Sequence, residues 1–138
     1  MHSRTRVLVI EERPFQSSDI EGVLNQIGCY RISTVLEPDQ LEQVLTSSTG
    51  PFDMAVCTAG SFAMDDIFLL ERICSGCKVQ HVVLLAEYDA EHQHELLFNA
   101  WLRHIPLIGF LRKPLTSSAL AEMLECLPRW TVPSTTPC

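Results

Sequence analysis

The stretch Arg6-Val7-Leu8-Val9-Ile10-Glu11-Glu12-Arg13-Pro14 contains the features that decide the fold. Its uninterrupted apolar run predicts a strand that is buried on both faces, as strands of parallel sheets are. Two carboxylates end the run abruptly. Pro14 suits the first turn of a helix, because its missing N–H needs no partner there. The stretch therefore predicts a buried strand that leads through an acidic turn into a helix.

The same alternation of strand and helix repeats along the chain. The first helix is predicted to end at Gly28, with core-facing residues at helical spacing: Phe15, Ile20, Val23, Leu24 and Ile27. Further strands are predicted at 30–35, 52–57, 79–85 and 107–111, and further helices at 38–45, 65–74, 89–103 and 117–127. Five strands alternating with five helices predict an α/β fold with a parallel sheet. Right-handed crossovers place helices on both of its faces.

The length and composition fit one globular domain. The chain has 138 residues, which is enough to bury a core without disulfides or metals. Residues 1–128 are predicted to form this domain. Residues 129–138, which are rich in Ser, Thr and Pro, are predicted to form a tail or linker.

The net charge and the hydropathy pattern exclude several classes of function. A formal net charge of -7 argues against nucleic acid and against anionic membranes as partners. No secretory signal opens the chain, and no apolar stretch approaches the length of a bilayer span. We therefore expect a cytoplasmic protein; several of the six cysteines lie inside apolar patterns, where a reduced cysteine packs as a small apolar side chain.

Candidate functional residues follow the predicted strands at their carboxyl ends, where open parallel sheets bind ligands. The first strand ends at Glu11 and Glu12, the third at Cys57-Thr58-Ala59, the fourth at Leu85-Ala86-Glu87 and the fifth at Arg112-Lys113-Pro114. Two adjacent carboxylates and a lysine at one edge would suit a hard cation and a phosphate-like anion. The alternative, which the spacing alone favours, is that the carboxylates are solvated and Lys113 pairs with one of them.

At these positions the sequence resembles the receiver domains of bacterial response regulators. The resemblance covers roughly residues 5–128 and rests on four segments: Val7-Leu8-Val9-Ile10-Glu11-Glu12-Arg13-Pro14, Phe52-Asp53-Met54-Ala55-Val56-Cys57-Thr58, Met64-Asp65-Asp66 and Phe110-Leu111-Arg112-Lys113-Pro114. It implies a flavodoxin-like (CheY-like), doubly wound, five-stranded parallel sheet of order 2-1-3-4-5. It also implies a role in two-component signal transduction.

The residues that would carry phosphorylation depart from the pattern of the family. The acceptor position falls on Thr58, whose neutral hydroxyl is a poor nucleophile without an adjacent base. The position that senses the phosphoryl group falls on Ala86, which has no hydroxyl. The acidic position that binds metal falls on Glu12, one methylene longer than the usual aspartate, and magnesium demands near-ideal geometry. Lys113 and the switch aromatic, Phe110, remain.

We therefore expect a degenerate phosphoacceptor pocket with no phosphoryl transfer, no catalytic residue and no enzyme activity. We expect no cofactor, with at most a weak magnesium site at Glu11 and Glu12. The expected function is that of a pseudo-receiver, which acts by protein–protein contact.

A partner surface is predicted around the fourth helix. Leu97 and Trp101 are four residues apart and share one helix face, which is equally typical of ordinary core. The resemblance implies pairing through the fourth helix, the fifth strand and the fifth helix, where Trp101, Ile105 and Leu107 lie. Aromatic anchors dominate the energetics of such surfaces. The expectation is a homodimer or a protein partner at this face.

Other interpretations remain open from the sequence. Residues 8–16 and 87–113 are similar to receiver domains fused to EAL-type cyclic-di-GMP phosphodiesterases, whose activity would need an output domain beyond Cys138. A receiver phosphorylated on another carboxylate, such as Asp53, Asp65 or Glu12, is one alternative. A small redox or ligand-binding flavodoxin-like protein is another. The pair in Cys74-Ser75-Gly76-Cys77 has half the ligands of a structural zinc site, and Gly76 there suits the end of a helix.

Overall fold

The computed structural model describes residues 4–47 and 50–125. The predicted tail, residues 129–138, and the predicted end of the last helix lie outside the described residues. In the part of the chain that is described, no helix is long and apolar enough to cross a bilayer.

Five parallel strands and five helices alternate, as the sequence predicts. The strands are β1 Arg6–Ile10, β2 Arg31–Val35, β3 Met54–Thr58, β4 Val82–Leu85 and β5 Leu107–Leu111. The helices are α1 Pro14–Gln26, α2 Pro38–Ser47, α3 Asp66–Cys74, α4 Ala90–Leu102 and α5 Ser117–Glu125. The strand order β2-β1-β3-β4-β5 confirms the flavodoxin-like topology. Because the order reverses between β1 and β3, the loops that follow these two strands open a crevice at the carboxyl edge of the sheet.

Alternating side chains of β1 divide the core into two layers. Leu8 and Ile10 pack in one buried cluster with residues of α2, α3 and α4. Val7 and Val9 pack in a second cluster with residues of α1 and α5. All four side chains are 0% exposed. Since successive residues of a strand point to opposite faces, one apolar run supplies both cores, and helices cover both faces of the sheet.

The first helix differs from the prediction at Phe15. Phe15 is 89% exposed, whereas Ser17, Ile20 and Leu24 form the buried stripe of α1. Phe15 precedes Ser17 by two residues, which is about 200° of helical rotation. Its side chain therefore lies on the solvent side of α1, and its assignment to the core was wrong.

The amino ends of β3 and β4 also differ from the prediction. Both strands were expected to begin earlier, at residues 52 and 79. Phe52 and Val79 instead form an isolated bridge ahead of the regular ladder. Between that bridge and the ladder, the Asp53 carboxylate accepts the Arg6 N–H at 2.8 Å. At this point β1 and β3 are thus also joined through a side chain.

The end of α3 confirms the interpretation of the Cys-x-x-Cys segment as a helix-end turn. A short 3-10 turn, Ser75–Cys77, follows the helix. Gly76 adopts φ 74° within it, a left-handed conformation that residues with a Cβ rarely adopt. The glycine therefore lets the chain leave α3 and enter the segment that precedes β4.

Asp89 caps α4, and its contribution to stability is measurable. Its carboxylate accepts the backbone N–H of His92 at 2.8 Å. Asp89→Ala should lower the free energy of unfolding by about 1 kcal/mol, because one N–H at the helix start loses its acceptor. Urea unfolding of Asp89→Ala and of Glu91→Ala, an exposed first-turn control, measures this loss. Equal stability of the two variants would contradict the cap.

Candidate functional site

Three of the predicted site residues meet at the carboxyl edge of the sheet. Glu11 directly follows β1, Thr58 ends β3, and Lys113 lies two residues beyond β5. The Lys113 ammonium forms an ion pair with Glu11 Oε1. The Thr58 hydroxyl donates to the same oxygen at 2.9 Å. The expected pairing of Lys113 with one of the two glutamates is thus present, and its partner is Glu11.

Three hydrogen-bond donors surround the Glu11 carboxylate. Besides the two donors on Oε1, the backbone N–H of Arg13 donates to Oε2 at 3.0 Å. The residue is only 1% exposed. Lys113 also donates to the amide oxygen of Gln16. Gln16 was not found from the sequence, although its position in the first turn of α1 places it above this edge.

The pKa of Glu11 reflects these contacts. Burial raises the pKa, but the hydrogen bonds from Lys113, from the Arg13 backbone and from Thr58, together with the positive charge of Lys113, outweigh it. The pKa of Glu11 therefore lies below its ordinary value of 4.5. The group is an ionised carboxylate at neutral pH and is held in one position by cationic and neutral donors.

The remaining predicted residues lie around this cluster and take no part in it. Glu12 is exposed. Ala86 is 9% exposed and packs in the core, while its N–H donates to Leu111 at the end of β5. Phe110 is half-buried and packs against the same core. The position of Ala86 therefore offers a methyl group, with no hydroxyl, near the edge.

The hydrogen bonds that Glu11 accepts do not fit a carboxylate that binds the magnesium ion implied by the resemblance. A cation requires oxygen ligands with free lone pairs, whereas the Glu11 oxygens accept from an ammonium, a hydroxyl and an amide. Thr58 supplies no carboxylate. Within residues 4–47 and 50–125, no group of three or more His, Cys, Asp or Glu side chains is placed to bind a metal. Lys113 instead provides the positive charge beside Glu11.

A second cluster, which we call the Tyr88 tie, lies beside the first and was not found from the sequence. The Tyr88 hydroxyl donates to the Asp66 carboxylate at the start of α3. The Gly60 N–H donates to the other oxygen of that carboxylate at 3.0 Å. The Tyr88 ring stacks on His92 at 3.9 Å between centroids and meets Phe110 edge-on at 6.1 Å. The tie thus connects the loops after β3 and β4 with the first turn of α4 and with Phe110.

Burial and the bond to Asp66 raise the pKa of Tyr88 above its ordinary value. Its hydroxyl therefore stays protonated and donates throughout the physiological pH range.

The loop after β3 has an unusual backbone. Phe62 and Ala63 adopt left-handed φ angles of 61° and 56°, which are uncommon for residues other than glycine. The buried hydroxyl of Ser61 donates to the Thr58 carbonyl at 2.6 Å. Such conformations persist where the surrounding structure fixes them. The hydrogen bonds from Ser61 and to Asp66 hold this loop beside Thr58.

The predicted surface on α4 is apolar and exposed. Trp101 is 71% exposed, Phe98 54%, Leu102 52% and Leu97 37%. The rings of Phe98 and Trp101 stack with centroids 6.3 Å apart. We call these four side chains the α4 patch.

The structure corrects the predicted interface at Ile105. Ile105 is 7% exposed and belongs to the core, because the chain turns inward after α4 to enter β5. Leu107 is half-buried and packs against the same core. Of the predicted interface residues, Trp101 alone projects from the surface.

Searches against protein-family models and against curated proteins find no match. Solved structures match over most of the chain. The receiver domain of the sensor histidine kinase PA1611 from Pseudomonas aeruginosa, whose structure contains a coordinated magnesium ion, is 17% identical with a TM-score of 0.66; the match covers 91% of this chain and 96% of that one. The chemotaxis response regulator CheY4 of Vibrio cholerae is 16% identical with a TM-score of 0.66, over 88% and 97% of the two chains.

A third match is the N-terminal domain of a response regulator/sensory box/GGDEF three-domain protein from Carboxydothermus hydrogenoformans. It is 20% identical with a TM-score of 0.66, over 88% of this chain and 92% of that domain. These neighbours are CheY-like receiver domains. The fold of this chain is therefore the CheY-like receiver fold that the sequence predicted.

Lys113→Met tests the ion pair. The variant leaves the Glu11 carboxylate buried without its cation, which should lower the free energy of unfolding at neutral pH by about 2–3 kcal/mol, with the partial exposure of Lys113 taken into account. The pKa of Glu11 is lowered in the folded state, so its stabilising contribution is complete above about pH 4.5 and is lost as the pH falls through the folded-state value. The difference between wild type and variant should therefore shrink on acidification.

Urea unfolding at neutral and acidic pH measures both effects. Arg112→Met is the matched control, because it removes an exposed positive charge from the preceding residue. If the two variants lose the same stability at neutral pH, the pair has no structural role.

Tyr88→Phe tests the Tyr88 tie. Loss of the hydroxyl leaves one oxygen of Asp66 without its donor, at an expected cost of about 1 kcal/mol in unfolding free energy. It should also increase hydrogen exchange at Gly60, whose N–H binds the same carboxylate. Tyr30→Phe, at a ring that is 65% exposed, is the control. Unchanged exchange at Gly60 in Tyr88→Phe would show that the tie does not hold the loop.

Proposed function

We propose that this chain is a pseudo-receiver domain, which acts in signal transduction by protein–protein contact and without phosphoryl transfer. The observation that carries the proposal is the cluster of Lys113, Glu11 and Thr58. The Lys113 ammonium neutralises the charge of the Glu11 carboxylate. The Thr58 hydroxyl occupies the position where the resemblance predicts the phosphoacceptor carboxylate.

The chemistry of Thr58 supports the loss of phosphoryl transfer. Its hydroxyl is neutral and already donates to Glu11. Glu11 would be the base that activates it, but a carboxylate whose pKa lies below the ordinary range is a weak base. Phosphorylation would also add negative charge beside the buried Glu11 carboxylate. Nucleophilic attack from this position is therefore disfavoured.

The alternative acceptor carboxylates are poorly placed. Asp53 precedes β3, at the opposite end of the strand from Thr58, and it binds the Arg6 N–H. Asp65 is exposed at the start of α3, and Glu12 is exposed as well. Each lacks the hydrogen bond from Lys113 that Glu11 has. These positions speak against a receiver that is phosphorylated on a substitute carboxylate.

The three cysteines whose side chains the structure describes speak against the redox alternative. Burial raises the pKa of Cys74 to about 12, and burial is also the main cause that raises the pKa of Cys29 to about 11. Burial likewise raises the pKa of Cys57 above its ordinary value. Thiols with such values are protonated at neutral pH, and the thiolate is the reactive form. Packing in an apolar environment accounts for these residues better than thiol chemistry does.

The α4 patch is the surface through which we expect the contact, either with a protein partner or with a second copy. Its rings are large, close together and exposed, as anchors of protein interfaces are. The protein from Carboxydothermus hydrogenoformans carries its receiver at the N-terminus of a three-domain chain. We extend the proposal to a comparable arrangement here, in which a cytoplasmic output domain of cyclic-di-GMP signalling lies on the carboxyl side of this domain.

Incubation with magnesium and acetyl phosphate, followed by intact mass measurement, tests the proposal. We expect no phosphoryl adduct on the wild-type chain, because Thr58 is a poor nucleophile and Glu11 is occupied by Lys113. A phosphorylatable receiver domain treated in parallel shows that the donor is active. A hydroxylamine-labile adduct on this chain would contradict the proposal.

Thr58→Asp is the matched variant for the magnesium site. A second carboxylate beside Glu11 introduces repulsion between two negative charges, and a bound divalent cation would reduce that repulsion. Magnesium should therefore raise the melting temperature of Thr58→Asp by a few degrees and leave that of Thr58→Val unchanged. Equal stabilisation of both variants would show that residue 58 does not control cation binding.

A further inference from the structure

The α4 patch adjoins an acidic cleft between α3 and α4. A cavity of about 320 Å³ lies there, and its lining includes Asp65, immediately before α3, and Asp66 of α3 together with His92 and Glu95 from α4. Glu95 precedes Phe98 by three residues, so both side chains lie on neighbouring turns of one helix face. The apolar patch and the acidic cleft therefore form one continuous surface.

The border of the patch is negatively charged. Glu91 and Glu95 are exposed on α4, and Asp65 is exposed immediately before α3. Within the described residues, none of these three carboxylates forms an ion pair. The positive group nearest the end of the helix, Arg103, pairs with Glu71 at 3.5 Å. A partner that covers the patch therefore meets uncompensated negative charge at its edge.

The charge argues against a second copy of this chain as the occupant. A symmetric contact places the same patch against itself, which would bring Glu91 and Glu95 of both copies to one interface. Each chain also has a formal net charge of -7. Like charges at an interface cost affinity and lower the rate of encounter. The acidic border disfavours anionic lipid headgroups for the same reason.

We propose that the α4 patch and the adjoining cleft bind a basic amphipathic helix of another protein. Apolar side chains of that helix would cover Phe98 and Trp101, and a lysine or arginine would enter the cleft beside Asp65 and Glu95. The patch spans residues 97–102, about 9 Å along the helix axis, which suits two or three anchors at i, i+3 and i+4 spacing on one partner helix. This inference rests on the proposed function and specifies the chemistry of its partner.

Two synthetic peptides test the inference with the full chain. Both carry the same Leu and Phe stripe at i, i+3, i+4 and i+7, and their polar positions are all Lys in one and all Glu in the other. Fluorescence anisotropy measures their affinities, and backbone amide NMR of the protein locates binding. The Lys peptide should bind at least about tenfold more tightly than the Glu peptide. It should shift the amide resonances of residues 91–102, and its affinity should fall as the salt concentration increases.

Variants of the chain separate the two parts of the surface. The double variant Glu91→Lys/Glu95→Lys should lower the affinity for the Lys peptide at least about tenfold. Trp101→Ala should have an effect of the same size, since the charge and the aromatic anchor both contribute to binding. Glu122→Lys on α5, which packs on the other face of the sheet, makes a charge change of the same kind away from the patch. It should alter the affinity by about twofold or less.

The outcomes that would overturn the inference differ from those that would overturn the proposed function. Equal binding of the two peptides, or binding of neither, would show that the surface does not select a basic helix. A dimer in sedimentation that Trp101→Ala abolishes would replace the basic helix by a second copy and leave contact through this face intact. Phosphorylation of the chain by acetyl phosphate would overturn the proposed function whatever the peptides do.

Discussion

A buried carboxylate at the end of β1 sets the constraint on which this edge of the sheet depends. Glu11 is 1% exposed, and an ionised group in such a place requires a cation or several donors. Lys113, which follows the edge strand β5, supplies the cation, and Thr58 and the Arg13 backbone supply further hydrogen-bond donors. The ends of β1, β3 and β5 are thereby joined through one side chain.

Under the proposed function, that internal compensation separates this chain from a phosphorylation switch. A receiver that accepts a phosphoryl group needs a magnesium ion and an acceptor carboxylate at this edge, so its state depends on a ligand. Here a covalently attached ammonium takes the place of the cation, and Thr58 offers a neutral hydroxyl. The Tyr88 tie beside it engages Asp66 and packs against Phe110. These contacts favour one arrangement of the loops, and under the proposed function a partner bound at α4 would be the means of changing it.

The sequence predicts the fold and the main pair of the site for identifiable physical reasons. Apolar runs with carboxylates or a lysine at their ends indicate both a parallel sheet and the residues that meet at its edge, and Glu11, Thr58 and Lys113 do meet there. Gln16 and Tyr88 escaped prediction because their partners are distant in sequence and no periodicity marks them. Phe15 and Ile105 were misplaced because an apolar residue near a helix terminus faces the core or the solvent according to small changes in where the helix begins and ends.

An NMR titration of the folded chain with magnesium tests whether Lys113 keeps the ion away from Glu11. The signal to follow is that of the Glu11 carboxyl carbon. The Lys113 ammonium should keep the ion away, so millimolar magnesium should leave that resonance and the low pKa of Glu11 unchanged. The same titration of Lys113→Met, whose carboxylate has lost its ammonium, shows what an accessible site would display. A saturable shift of the Glu11 resonance in the wild-type chain would show that the edge still binds the cation of a working receiver, and the account would be wrong.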